Sequence, residues 1–376
     1  MNIVYSTGAR VGGGGIGRTA LHAVRGLYHH DLLAQLLCGS FTSTGIPRRK
    51  IHSLGLILRA LQKLAVYDGS QRIDFFEKVF YDQWASRNIR PANVFHAWNG
   101  YGLRSLQRAK NMGMVTCIER ASCHPLYQQD ILLEEHRRWG VKYRHSSRNL
   151  DRDTLEIHLA DYVLVPSDFA CSSFLEQGYP REKILQLPFG VDVHRFSPGD
   201  HKLSSPFRVL FVGNIGLNKG VIYLLEAWRQ LGWKEAVLDL VGRVEPGFSP
   251  LLETFRDLPG IIRHGYVPNP VERFQQADVF AFPTLQEGSA LVTYEALACG
   301  LPQITTPNAG SVVRDGQEGF IIPPRNVDTL AGRLETLRTN DRLRHRMGAA
   351  ARQRAMEYTW DRYGQQLSQT FEGLIR

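Results

Sequence analysis

The feature that most constrains this chain is a regular alternation of apolar strand-like segments with helical segments, which occurs twice. The first series has predicted strands at residues 2–6, 32–37, 94–98, 114–118 and 162–167. After a turn-rich joint at 188–192, the second series has predicted strands at 207–212, 236–241, 261–263, 279–282, 303–306 and 319–322. Buried strands that alternate with helices form parallel sheets covered by helices on both faces. The sequence therefore predicts two Rossmann-like, doubly wound α/β domains.

Chain length fits this division, because 376 residues exceed one ordinary domain and suit two. We predict a first domain over residues 1–190, a second over 191–357, and a C-terminal helix over 358–376 that crosses back to the first domain. In doubly wound sheets, ligands bind outside the carboxyl ends of the strands. Two such domains that face each other give one cleft, where we expect a ligand to bind.

The charge distribution favours an anionic partner for the first half of the chain. Residues 1–190 contain 24 Lys and Arg against 16 Asp and Glu, which accounts for +8 of the total net charge of +9. The basic residues concentrate at 48–50 and 136–152. Such a field attracts a phospholipid surface, a phosphorylated acceptor or nucleic acid, although a solvated basic face without a partner is the alternative.

Two further patterns bear on location. No stretch reaches the roughly 18–20 apolar residues of a membrane-spanning helix. The N-terminal residues 1–7 lack the basic region and long apolar core of a signal peptide, and they have the pattern of a first strand. We therefore expect a cytoplasmic protein.

The segment from Pro283 to Gly300 carries the strongest functional pattern, because a strand end is followed by a Gly-Ser loop and a helix start. Backbone amides at a helix start attract phosphate oxygens. Glu287 lies just before this helix and Glu295 about two turns inside it. A carboxylate can accept hydrogen bonds from both vicinal hydroxyls of a ribose. The spacing alone leaves open the alternative that both glutamates only cap or solvate the helix.

A glycine-rich loop, Gly12–Gly17, follows the first strand and formally matches the dinucleotide fingerprint G-x-G-x-x-G. That fingerprint expects an acidic residue at the end of the second strand, whereas residues 32–39 end without one. An NAD-dependent enzyme is therefore disfavoured. No Asp-x-Asp pair follows a predicted strand, so we expect no metal ion.

These motifs together resemble the retaining glycosyltransferases of family 4, also called group 1, which have the two-domain GT-B fold. The matching motifs are E-x7-E at Glu287 and Glu295, E-A-x-A-x-G-x-P at 295–302, P-x-G-V-D at 188–192, and a V-G…K-G loop at 212–220. The resemblance covers residues 160–325 and is weaker over 40–160.

The resemblance implies roles for individual residues. Lys219 would neutralise the diphosphate leaving group as a catalytic residue, Glu287 would lie beside the transferred sugar, and His96 would face that sugar. The donor-binding positions that it implies are Gly14, Gly15, Gly213, Asn214, Lys219, Gly288, Ser289, Leu291, Val292 and Glu295, with the donor ribose held by Glu295. Glu119 and Arg120 would face the acceptor.

Asn214 departs from the family, which usually has an arginine at this position. A neutral amide donates hydrogen bonds but supplies no charge to a diphosphate. Either Lys219 and the helix N-termini suffice, or another cation such as Arg18 or Arg243 reaches the site.

The resemblance implies an enzyme that moves a sugar from a UDP- or GDP-linked donor to a saccharide or lipid-linked acceptor in cell-surface glycan synthesis. It implies no cofactor, no metal ion and no nucleic-acid partner. The basic first domain adds the expectation of a peripheral contact with the inner, anionic face of the membrane. Two alternatives stay open: a nucleotide-sugar-binding protein without catalysis, and a nucleotide-sugar epimerase on the same fold.

Overall fold

The computed structural model describes residues 1–55, 71–143, 145–199 and 206–375, and it contains two parallel sheets with alternating helices. The elements of the first domain are β1 (Ile3–Val11), α1 (Ile16–His29), β2 (Leu33–Phe41), β3 (Ile51–Ser53), α2 (Gln71–Asn88), β4 (Val94–Trp98), α3 (Leu103–Asn111), β5 (Val115–Glu119), α4 (Pro125–Arg138), α5 (Ser147–Leu159), β6 (Tyr162–Val165), α6 (Asp168–Glu176) and β7 (Ile184–Gln186). The later elements are β8 (Arg208–Val212), α7 (Val221–Leu231), β9 (Val237–Val241), α8 (Ser249–Glu253), β10 (Ile261–Gly265), α9 (Val271–Gln276), β11 (Val279–Phe282), α10 (Leu291–Ala298), β12 (Gln303–Thr305), β13 (Gly319–Ile321), α11 (Val327–Thr339), α12 (Asp341–Ala355) and α13 (Trp360–Gly373).

Both sheets have the strand order of a doubly wound fold, which confirms the predicted fold class. The first runs β3-β2-β1-β4-β5-β6-β7 and the second β10-β9-β8-β11-β12-β13. The order reverses between β1 and β4 in the first sheet and between β8 and β11 in the second. Ligands of such sheets bind where the order reverses, outside the carboxyl ends of the strands. The loops that follow β1, β8 and β11 therefore occupy the positions where a ligand is expected.

The two central strands of the second sheet, β8 and β11, are apolar except for Arg208 at the start of β8, because helices cover both faces of the sheet. All four residues of β11 are buried, and so are the last four residues of β8. The Phe211 and Phe282 rings stack with their centroids 5.6 Å apart. This packing fixes the ends of β8 and β11, from which the two loops that carry the predicted donor-binding residues begin.

Strands β1 and β2 extend to Val11 and Phe41, well past the predicted ends at residues 6 and 37. Polar residues in 6–10 interrupt the apolar pattern that the prediction used. Parallel pairing depends on backbone groups, and it continues here with Thr7 opposite Cys38 and Val11 opposite Phe41. The glycine-rich loop therefore begins directly at the carboxyl end of β1, a strand in the interior of the sheet.

Two consecutive helices, α11 and α12, follow the last strand of the second sheet. The Asn340 side chain separates them, because it accepts a hydrogen bond of 2.9 Å from the Leu343 backbone N–H and so caps α12. An amide side chain at this position satisfies one of the backbone donors that a helix start leaves unpaired.

The C-terminal helix α13 packs on α1 of the first domain. The two helices cross closely at Gly26 and Gly364, since a Cβ atom on Gly26 would lie 2.4 Å from the Gly364 Cα. Val191 pairs with Thr359 where the chain passes between the domains. The chain thus passes between the domains twice at neighbouring points. Within the described ranges, no helix combines the length and apolarity needed to cross a bilayer.

Candidate donor site between the domains

The loop between β11 and α10 lies directly against the first domain. Gly288 is buried there, and a Cβ atom on it would lie 1.9 Å from the Ala121 carbonyl oxygen. Ser167 accepts a hydrogen bond of 3.1 Å from the Ala170 backbone N–H at the start of α6 and donates one to the Gly288 carbonyl. Only glycine allows this approach, so the residue type at 288 is explained by contact between the domains.

Lys219 and Glu287 form an ion pair at this loop. The Lys219 ammonium contacts the Glu287 carboxylate, and both side chains are mostly buried. Burial lowers the pKa of Lys219 to about 8, against the opposing pull of the Glu245 carboxylate. The E-x7-E motif and the K-G loop, 68 residues apart in sequence, therefore meet at one charged centre.

Glu295 forms a second ion pair, which crosses the cleft. Its Oε1 accepts a hydrogen bond of 2.5 Å from Nη1 of Arg18, which lies in the first turn of α1. Burial raises the pKa of the Glu295 carboxyl, while Arg18 and Arg195 oppose the shift. The pair lies in a cavity of about 450 Å³ between the domains, and its lining includes Gly14, Tyr266, Leu291 and Trp360.

The other predicted donor-binding residues lie on the same loops, with different exposure. Gly14 is exposed, and Gly15 precedes α1 with a φ of 53°. Asn214 is exposed at the end of β8, beside Gly213. The Ser289 hydroxyl donates a hydrogen bond of 2.8 Å to the Gly310 carbonyl. This side chain therefore stabilises the loop, and what the loop offers a ligand is its backbone.

Leu291 and Val292 are half-buried at the start of α10, and Leu291 also lines the cavity. Over the part of the chain that the structure describes, no group of three or more His, Cys, Asp and Glu side chains is arranged to hold a metal ion.

His96 and Glu119 do not reach the cleft in this structure. His96 has no exposed surface, and its ring stacks on Tyr5 at 4.4 Å and meets Phe371 of α13 edge-on at 5.6 Å. Its Nε2 lies 3.0 Å from Glu119, whose other oxygen accepts a hydrogen bond of 3.4 Å from the Tyr363 hydroxyl. The position of α13 over these side chains does not support the expectation that His96 faces a sugar or that Glu119 faces an acceptor.

Arg120 is also mostly buried, and it contacts the donor loop only indirectly, through the side chain of Gln128. Its guanidinium donates to Gln128 Oε1 at 2.7 Å and pairs with Asp153 at 2.9 Å. The Gln128 amide donates in turn to Gln286 Oε1 at 3.1 Å, and Gln286 donates to the Ser122 hydroxyl. Arg120 therefore positions the first-domain residues that contact the donor loop, and each nitrogen of its own guanidinium already donates a hydrogen bond to a protein group.

Sequence reasoning did not anticipate the contacts between the domains. Gln286 and Gln128 form part of that contact, yet neither belongs to a recognisable motif. The sequence indicates Arg18 only as a replacement for the charge missing at Asn214, and not as a partner of Glu295. A basic residue in the first turn of a helix is electrostatically unfavourable, and that signal could have identified Arg18 as a residue with an anionic partner.

Comparison with known proteins agrees with the resemblance. Residues 206–340 match the family model described as glycosyl transferases group 1. A D-inositol 3-phosphate glycosyltransferase of Corynebacterium jeikeium is 30% identical over 243 residues, covering 57% of this chain and 58% of that protein. The capsular polysaccharide biosynthesis glycosyltransferase CapM of Staphylococcus aureus is 29% identical over 175 residues, covering 44% of this chain and 46% of that protein. The chain thus matches about half the length of these curated relatives.

Among solved structures, Anabaena Alr3699/HepE in complex with UDP superposes with a TM-score of 0.69 at 15% identity, covering 99% of this chain and 100% of that one. The two facing sheets and the cleft between them define a protein of the GT-B fold class. Within that class, residues 206–340 match the model of the group 1 glycosyltransferases.

Proposed function

We propose that this chain is a retaining, family 4 glycosyltransferase that moves a sugar from a UDP- or GDP-linked donor to a saccharide or lipid-linked acceptor. The observation that carries the proposal is the arrangement of the loop between β11 and α10: Glu287 on this loop pairs with Lys219, and α10 carries Glu295 into the cavity between the domains. These are the residues that the resemblance assigns to the diphosphate, the sugar and the ribose. Similarity to CapM supports a product in cell-surface glycan synthesis.

The chemistry of this group fits the reaction. Cleavage of the bond between sugar and diphosphate leaves additional negative charge on the terminal phosphate, and a fixed cation in a water-poor site stabilises that charge. Lys219 supplies such a cation next to Glu287. In the retaining reaction, the acceptor hydroxyl attacks from the face that the nucleotide leaves, and the departing phosphate takes the acceptor proton. No cofactor or metal ion is required by this scheme.

A donor screen tests the proposal. Thermal unfolding is measured with UDP, GDP, ADP and their sugars, with EDTA present throughout, because a ligand that binds only the folded state raises Tm. We expect one nucleoside diphosphate and one of its sugars to stabilise the protein, and that sugar to be slowly hydrolysed. Stabilisation without any hydrolysis or transfer would favour the binding-protein alternative, and conversion of the sugar without release of nucleotide would favour an epimerase. If none of these ligands binds, the proposal is wrong.

We predict that nucleotide affinity depends on pH through Lys219. Because burial lowers its pKa to about 8, the ammonium is charged below that pH and loses its proton above it. The terminal phosphate of UDP is itself mostly ionised above about pH 7, so the affinity for UDP should fall as the pH rises above about 8 because Lys219 loses its charge. Calorimetric titration of wild type and Lys219→Arg measures this, and the arginine variant should keep its affinity to higher pH. The same decline in both proteins would assign the pH dependence to another group.

We also propose that the first domain contacts the anionic, cytoplasmic face of a membrane. Arg137, Arg138, Lys142 and Arg148 are exposed, whereas Arg152 is buried against Asp82 at 2.6 Å and belongs to the interior. We expect sedimentation with vesicles of anionic lipid at low salt and loss of binding at high salt. Equal binding to neutral and anionic vesicles would contradict this electrostatic contact.

A further inference from the structure

We propose that Arg18 is a donor-binding residue that pairs with Glu295 in this structure and transfers to the diphosphate when a nucleotide binds. The inference rests on the proposed function, and it adds a residue of the first domain to the donor site. It also explains how a site with Asn214 in place of a cation obtains a second positive charge.

The geometry places Arg18 at the site of the exchange. Its Nη1 lies 2.5 Å from Glu295 Oε1, and the two residues come from opposite sides of the cleft. The Glu295 side chain is only 7% exposed while that of Arg18 is 36% exposed. Among the described residues, Glu295 is the one hydrogen-bond partner of the Arg18 guanidinium. A guanidinium has five N–H donors, so most of them are available to an anion that enters the cavity.

The position of Arg18 in its helix favours an anionic partner. It is the third residue of α1, whose first turn contains no acidic residue and whose preceding Gly15 provides no side-chain cap. The positive end of a helix dipole repels a cation there. The Glu295 carboxylate offsets this repulsion. A diphosphate carries more negative charge than one carboxylate, and it forms bidentate hydrogen bonds with arginine.

Of the other cations, Lys219 already serves the diphosphate in the proposed function, and Arg195, which lines the same cavity, donates a hydrogen bond of 2.8 Å to Asn269 Oδ1. Lys219 is paired with Glu287. The Arg243 guanidinium lies over the Tyr266 ring, 4.8 Å from its centroid, and Arg243 does not line the cavity that contains Arg18 and Glu295. Arg18 is therefore the better placed of the two arginines considered as replacements for the charge missing at Asn214.

The exchange couples nucleotide binding to the contact between the domains. When the ribose hydroxyls donate to the Glu295 oxygens, they compete with Arg18 for the same acceptor. Arg18 then has a stronger partner in the diphosphate, which the ribose places nearby. The direct ion pair between the domains is thus replaced by two contacts to the nucleotide, one from Glu295 to the ribose and one from Arg18 to the diphosphate. A nucleoside without phosphates also has to break the ion pair between Arg18 and Glu295, but it provides no anionic group to which Arg18 can bind.

The test compares UDP with uridine in wild type and Arg18→Gln, or GDP with guanosine if the donor screen selects guanine. We expect R18Q to weaken UDP binding about tenfold or more, since a charge-assisted hydrogen bond is lost. Uridine should bind R18Q as tightly as wild type or more tightly, because Glu295 is free. The double variant R18Q/N214R should recover most of the UDP affinity. Arg108→Gln removes the same charge from an exposed residue of α3 and should change neither affinity.

Three results would overturn the inference. One is equal weakening of both ligands by R18Q, and another is unchanged UDP affinity. The third is tighter binding of both, which would make Arg18 a competitor of the ribose and nothing more. Each variant is first compared with wild type by thermal unfolding, and if R18Q unfolds, Arg18→Lys replaces it with the same comparison of two ligands. Wild type that binds no nucleoside diphosphate would instead refute the proposed function.

Discussion

Lys219→Ala should remove almost all sugar transfer, lowering kcat by a factor of about 10²–10³, the usual effect of losing one group that stabilises developing charge. The variant leaves the Glu287 carboxylate mostly buried without its ion-pair partner, which adds repulsion toward an incoming diphosphate. Both effects act on the leaving group, so the rate of the chemical step should fall more than donor affinity does. Single-turnover release of nucleoside diphosphate at saturating donor measures that step.

Two companion variants separate these contributions. Lys219→Arg keeps the charge and should retain part of the activity. K219A/E287Q removes the repulsion and should restore donor affinity without restoring kcat. Arg108→Gln again serves as the control for net charge. Full activity of Lys219→Ala would show that the diphosphate is not held where we place it.

Glu295→Gln should weaken donor binding by a factor of about 10–100, because the ribose hydroxyls lose charge-assisted hydrogen bonds of about 1.5–3 kcal/mol. The sharper measurement compares UDP with 2′-deoxy-UDP. Wild type should bind the deoxy ligand more weakly, and the variant should distinguish the two much less. Turnover at saturating donor should change little, since the ribose contact is the same in the ground state and the transition state.

Glu272→Gln provides the matched control, since Glu272 is exposed on α9 and undergoes the same loss of charge. A Glu295→Gln protein that still discriminates fully between UDP and its deoxy form would place the ribose elsewhere. Equal affinity of wild type for the two ligands would lead to the same conclusion.

The sequence predicted the fold class because the alternation of strands and helices is a local pattern. β4 and β11 begin and end where the apolar pattern does, at Val94–Trp98 and Val279–Phe282. The predicted β1 and β2 are too short because their last residues include polar ones, which interrupt the apolar pattern. Backbone hydrogen bonds between the two strands extend them past these residues, and such bonds do not depend on side-chain type. The donor loop was predictable for a related reason, since all its candidate residues lie within one short segment.

The contacts across the cleft were not predictable from the sequence. Arg18 and Glu295 are 277 positions apart and belong to different domains. Their approach depends on how the two sheets face each other, which no periodicity encodes. For His96, a contact between distant parts of the chain makes a predicted site residue inaccessible. It lies near a strand end, where a functional residue is expected, but α13 returns from the end of the chain and covers it.

A crystal structure of the protein soaked with UDP tests the central claim most directly. Both ribose hydroxyls should lie within hydrogen-bond distance of the Glu295 carboxylate, and the terminal phosphate should contact the Lys219 ammonium and the amides that lead into α10. A nucleotide bound in a different cavity, with Lys219 still paired to Glu287 and no ligand near Glu295, would contradict the assignment of the donor site.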